Sequence, residues 1–166
     1  MKNLKSILMA SFLTVGVFST VLFSACNQDK CKDVVCNNGG TCSATDGSCM
    51  CAAGYEGTNC DTESRSKLIG NFLLSGSDNS GGTYTNLVTV TSTSAASKTK
   101  FIINIGGVFT FTCTMTSTSS FTLDNTTIGG FNYTGSGTYV GTTLTITMTE
   151  TDGVDTTIYN LSGNKQ

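Results

Sequence analysis

The sequence predicts a small disulfide-rich module followed by an all-β antiparallel meander, a barrel with a β-sandwich as its alternative. Three observations lead there. Six cysteines crowd into residues 31–60. Beyond residue 67 apolar and hydroxyl residues alternate with period two, and no stretch shows helical spacing. Composition agrees: of 166 residues only 12% are charged, and Thr, Ser and Gly fill the space, which suits strands and turns. Net charge is −2, so nothing here attracts a phosphate backbone and nucleic acid is not an expected partner.

Residues 1–25 come first and read as a signal peptide. Lys2 and Lys5 form a charged start, Ile7 to Phe23 is mostly apolar, and small Ser24 and Ala25 precede Cys26. A retained anchor is the alternative, but about 17 apolar residues is at the low limit for a span. Without this leader the chain has 7 basic against 11 acidic residues, or −4. "LFSAC" resembles the lipobox of bacterial lipoproteins, best at Ala25 and Cys26 and less well at Phe23. That resemblance implies cleavage before Cys26, acylation of Cys26 and a lipid-anchored tether over 26–30. The protein would then be exported and membrane-bound, with the outer membrane expected.

The six cysteines of the next segment, at 31, 36, 42, 49, 51 and 60, are separated by 4, 5, 6, 1 and 8 residues. Zinc sites use short C-x-x-C pairs, often with His, and this chain has neither. In an exported chain such a set means disulfides, and spacing alone leaves all 15 pairings open. "CKDVVCNNGGTCSATDGSCMCAAGYEGTNC" resembles an EGF-like domain over 31–60, through its gaps, Gly54–Tyr55 and Gly57. The resemblance implies Cys31–Cys42, Cys36–Cys49 and Cys51–Cys60. Each such bridge contributes roughly 2–3 kcal/mol in the chain-entropy model. Without them so small an apolar content cannot hold a fold. The calcium-binding variant of the family is not expected: Lys30 replaces an acid, and the segment around Asp46 lacks an aromatic. No metal or cofactor is predicted.

"DTESRSK" opens a charged linker, residues 61–66, with few contacts expected across it. The domain at 67–166 follows. In "GVFTFTCTMTS", Phe109, Phe111, Cys113 and Met115 alternate with threonines, giving one apolar and one hydroxyl face. Strands are expected near 70–76, 83–92, 100–105, 108–116, 120–123, 126–140 (one or two), 143–149 and 155–161, with turns at "SGSDNSGG", "NIGG", "LDNTT", "YVGTT" and "ETDGV". Short connections make neighbours antiparallel. "KLIGNF", with Gly70 and Phe72, resembles the opening of lipocalin-like domains, though Phe stands where Trp is usual. "GSGTYVGTTLTITM" looks like small lipocalin-like domains of bacterial lipoproteins. The aromatics Phe101, Phe109, Phe111, Phe121, Phe131, Tyr133, Tyr139 and Tyr159 either line a ligand cavity or fill the barrel, and filling is expected in ~100 residues. Cys113 reads as a small buried hydrophobe.

No enzyme is expected. With no His, Ser/His and Cys/His systems are excluded. Glu150, Asp152 and Asp155 cluster around one turn, where acids serve solvation and turn geometry. No phosphate-binding loop is present. The expected role is surface recognition or adhesion towards an unidentified protein or glycan, on analogy with the EGF-like family. The alternative is a carrier of a small apolar ligand in the barrel.

Overall fold

The computed structural model describes residues 29–93 and 97–166. The leader, Cys26 and the first part of the tether lie outside the described residues.

Two short hairpins make up the N-terminal module. Strand β1 (Thr41–Cys42) pairs with β2 (Cys49–Met50), and β3 (Tyr55–Glu56) with β4 (Thr62–Glu63). Disulfides join Cys31 to Cys42, Cys36 to Cys49 and Cys51 to Cys60, with Cα atoms 5.9, 5.6 and 5.2 Å apart. Within 31–60 only Gly54 and Cys60 are buried. The module therefore has almost no apolar interior, and the covalent bridges take its place.

Eight strands follow: β5 (Gly70–Asp78), β6 (Thr83–Ser92), β7 (Lys100–Ile105), β8 (Phe109–Met115), β9 (Ser120–Ile128), β10 (Phe131–Val140), β11 (Thr143–Thr151) and β12 (Thr156–Lys165). Each pairs antiparallel with the next, and β12 pairs back onto β5 from Tyr159 opposite Asp78 to Lys165 opposite Phe72. The sheet is a closed up-and-down barrel, so the sandwich alternative is set aside.

The division of β9 from β10 differs from the sequence expectation. "LDNTT" is not a turn: β9 runs through it, and a register shift opposite Tyr133–Gly135 marks a bulge at Asp124–Asn125. The chain reverses instead at Gly129–Gly130, whose φ values of 61° and 92° fit the two-residue turn that matches strand twist.

Alternation is what fills the barrel. Phe72, Phe101, Phe111, Phe121, Leu74, Ile103, Leu144 and Ile146 are fully buried, and Phe101 meets Phe121 edge-on at 5.1 Å. Tyr139 is also buried and packs edge-on against Phe72 at 5.9 Å. Outward positions carry Thr, Ser and Asn, which pair across strands, as Thr145 with Ser162 and Thr147 with Asn160. Cys113 is buried and unbridged, and burial pushes its thiol up to about 12, with a smaller effect of Asp124.

The expected linker is structured. Thr62 and Glu63 form β4, and Ser64–Leu68 is a 3-10 helix against the barrel end where β5 starts. Leu68 is fully buried with the core and Arg65 is only 4% exposed. Arg65 donates from Nε to Glu63, and from its terminal nitrogen to Thr93 and to the carbonyls of Ser97 and Lys100. Lys98 pairs with Glu63 at 2.6 Å and Lys67 with Glu56 at 2.7 Å. The charges that suggested a free linker bond the module to the floor of the barrel instead. Gly54 belongs to this joint: its φ is +88°, and a Cβ there would lie 2.7 Å from the Thr99 methyl.

Candidate functional site

The floor is plugged by Leu68 and the middle by aromatics, so the space left is at the other end, the mouth. This is where the turns β5–β6, β7–β8, β9–β10 and β11–β12 lie. A cavity of about 260 Å³ opens there, lined by Tyr84, Asn86, Ile105, Phe109, Tyr133, Met148, Glu150, Tyr159 and Leu161. Strand register explains the assembly. Each of these residues keeps the inward parity of its strand: Ile105, Tyr133, Met148 and Leu161 are the top of the packed core, Glu150 continues Leu144, Ile146 and Met148, and Tyr84 and Asn86 stand opposite Gly76 and Leu74.

The walls are aromatic. Tyr84 and Tyr159 meet at 5.5 Å between ring centroids, and Phe109 and Tyr133 at 6.0 Å. Tyr133 also reaches down to Phe111 at 5.6 Å, tying the wall to the core. Polar atoms are few and convergent. The Tyr159 hydroxyl donates to Glu150 at 2.9 Å. Desolvation, then a hydrogen bond to Glu150, raises the Tyr133 hydroxyl above the usual phenol range, and the same two causes raise Tyr159. On the rim the Tyr84 hydroxyl donates to Asp78 at 2.5 Å. That bond, with the Gly82 and Ser80 amides, holds the Asp78 carboxyl below its ordinary range.

The other residues singled out by sequence are distributed as follows. Phe101, Phe111, Phe121 and Tyr139 are core, Tyr133 is core and also faces the cavity, and Phe109 and Tyr159 line it. Phe131 is 39% exposed at the rim. Of the three acids near one turn, Asp152 accepts the Val154 and Asp155 amides, the expected turn role, while Glu150 faces inward. The sequence grouped Glu150 with the turn acids, where the structure turns it into the cavity, and it did not single out Tyr84 or Asn86. The available signal was parity: a carboxylate at the fourth inward step of β11. Among the described residues no group of three or more metal-ligating side chains forms.

A second cleft, lined by 51–57 and Thr116, Ser117 and Thr118, lies between the module and the β8–β9 turn. It is open to solvent, and Glu56, its one ionised group, already pairs with Lys67. The mouth is the better-built site.

No family model matches this chain, and no curated protein matches it. Two solved chains match; one is the structure of EF1p2_mFAP2b bound to DFHBI, 12% identical, covering 62% of this chain and 98% of that one at a TM-score of 0.44.

Proposed function

We propose that this is an exported, non-catalytic binding protein that holds a small, largely apolar ligand in the mouth of its barrel. The observation that carries the reading is the aromatic cavity with a few convergent polar groups, the usual composition of a small-molecule site. Its volume of about 260 Å³ suits a ligand on the scale of one ring with short substituents. The absence of His from the chain argues against acyl-transfer chemistry, and the two carboxylates beside the aromatic walls, Asp78 and Glu150, are each engaged by a tyrosine hydroxyl. Recognition or adhesion rests on the EGF-like resemblance of 31–60 alone, so the carrier reading takes precedence. Acylation of Cys26 belongs to the same proposal: a tether on the N-terminal side would leave the mouth, opposite the floor-bound module, facing away from the membrane.

Native mass spectrometry of protein extracted gently from its host tests this reading. A bound small molecule is expected, and Asn86→Trp, which fills the cavity, should abolish it while the β-type circular dichroism spectrum persists. Recovery of the same ligand from the Trp variant, or ligand-free protein that also binds no small aromatic from a fragment set, overturns the proposal. For the anchor, Cys26→Ser should release the chain from the membrane fraction; a variant that stays bound beside an unacylated wild type refutes it.

A further inference from the structure

Charge is sorted along the barrel axis. Every basic residue of 65–166 (Arg65, Lys67, Lys98, Lys100 and Lys165) belongs to the floor, on the 3-10 helix, at or just before the start of β7, or at the end of β12. Each already has an oxygen partner there: Glu63 for Arg65 and Lys98, Glu56 for Lys67, Asp124 for Lys100, and the Lys67 carbonyl for Lys165. The mouth holds Asp78, Glu150, Asp152 and Asp155 and no cation. A cleft lined by one sign of charge concentrates counter-ions of the other sign.

The four acids are not equivalent. Asp152 is occupied by backbone amides, and Asp78 by the Ser80 and Gly82 amides and Tyr84. Asp155 lies in the exposed turn. Glu150 alone projects into the cavity, and it accepts from the Tyr159 hydroxyl. An ionised carboxylate has about four acceptor sites, so this hydroxyl orients Glu150 without saturating it. Around it stand Tyr84, Tyr133, Tyr159 and Phe109, whose ring faces are electron-rich. An anion entering this space meets only like charge, and a neutral hydrocarbon makes no use of Glu150.

Resting on the reading that the mouth is a ligand site, we infer that its ligand is a small organic cation, an ammonium group carried on an apolar or aromatic body. Glu150 neutralises the charge and the aromatic walls supply cation–π faces and apolar contact. The acidic rim draws the ligand in.

A charge-only isosteric pair tests the inference on the full chain: phenyltrimethylammonium against tert-butylbenzene, with binding followed by the NMR signals of Tyr84, Tyr133 and Tyr159. The cation is expected to bind about tenfold or more tighter than the hydrocarbon. Going from about 0.01 M to about 0.15 M salt, which shortens screening from about 30 Å to about 8 Å, should weaken only the cation. Glu150→Gln should remove most of the tenfold preference and leave tert-butylbenzene within about twofold. If Glu150→Gln fails to fold, Tyr84→Leu, which deletes a ring face, should likewise weaken the cation selectively. Equal or tighter binding of tert-butylbenzene by the wild type overturns the inference but leaves the mouth as an apolar site. Cation binding that moves signals of the floor or of the N-terminal module instead overturns the inference as well. If neither probe moves the three tyrosines, the underlying reading falls too.

Discussion

Phe111 and Thr112 are neighbours in sequence and opposites in environment: the ring is fully buried and the hydroxyl residue lies on the outer face. Phe111→Ala should cost about 3–5 kcal/mol, the range for a large core truncation that leaves a cavity. Thr112→Ala should stay within about 0.5 kcal/mol, as outer-face substitutions do. Urea denaturation of the two variants measures the difference, and equal effects would mean that the inward face is misassigned. Glycine makes the complementary case. A Cβ built on Gly137 would lie 2.2 Å from the Phe121 ring and 2.6 Å from the Thr145 carbonyl oxygen. Gly137 leaves room for the ring that fills the barrel beside it. Gly137→Ala should therefore destabilise by about 1–3 kcal/mol through overpacking, with the midpoint shifted and the slope unchanged. Gly81→Ala controls for the chemistry of the change, since nothing lies within 4 Å of a Cβ there; its only penalty is the left-handed φ of +90°.

Among the elements, strands were legible and the joint was not. A period of two declares a half-buried strand whatever its partners, and the eight runs of alternation mark the eight barrel strands. The β9–β10 boundary slipped because Asp124 and Asn125 carry turn chemistry while serving a bulge, where Asp124 accepts from Lys100 and Thr114. The 61–66 segment misled for a different reason. Five residues of 3-10 helix are too short for periodicity, and a buried arginine looks like a solvated one until its partners are known. Glu63 shows what the joint does. Hydrogen bonding to Lys98 first, then to Arg65, holds its carboxyl below the ordinary value of 4.5. A folded-state pKa below the unfolded one means that the native chain binds fewer protons near that pH. The stabilisation is present above the unfolded pKa and is lost as pH falls through the folded one. Wild type should thus exceed Glu63→Gln in stability at neutral pH, and the two should converge in acid below the carboxylate range. Urea midpoints against pH give the test; a gap that persists or widens in acid would refute this account of the joint.

For the whole molecule, the same wiring decides where the barrel begins as a folding unit. A boundary at Arg65 or Lys67 looks natural from the alternation, which starts with β5. The floor, however, is built from residues before β5: Leu68 completes the core, and Arg65 bonds to Thr93, Ser97 and Lys100 across the open end. Arg65 is nearly buried, and an ion so placed needs its partner; the partner is Glu63, on β4. The three disulfides all lie in 31–60, before this plug. A unit of about 100 residues buries enough surface to fold without cross-links. A chain beginning at Thr62 should therefore melt cooperatively with a β-type spectrum and be indifferent to reducing agent. A chain beginning at Ile69 keeps all eight strands but loses Leu68, Arg65 and Glu63. Its floor carbonyls lose their donor and its core its stopper, with each unsatisfied buried group costing about 1–3 kcal/mol. It should melt at a clearly lower temperature. Equal melting of the two chains would show that the plug is dispensable, and loss of the Thr62 chain's transition on reduction would show that the barrel leans on the disulfide module.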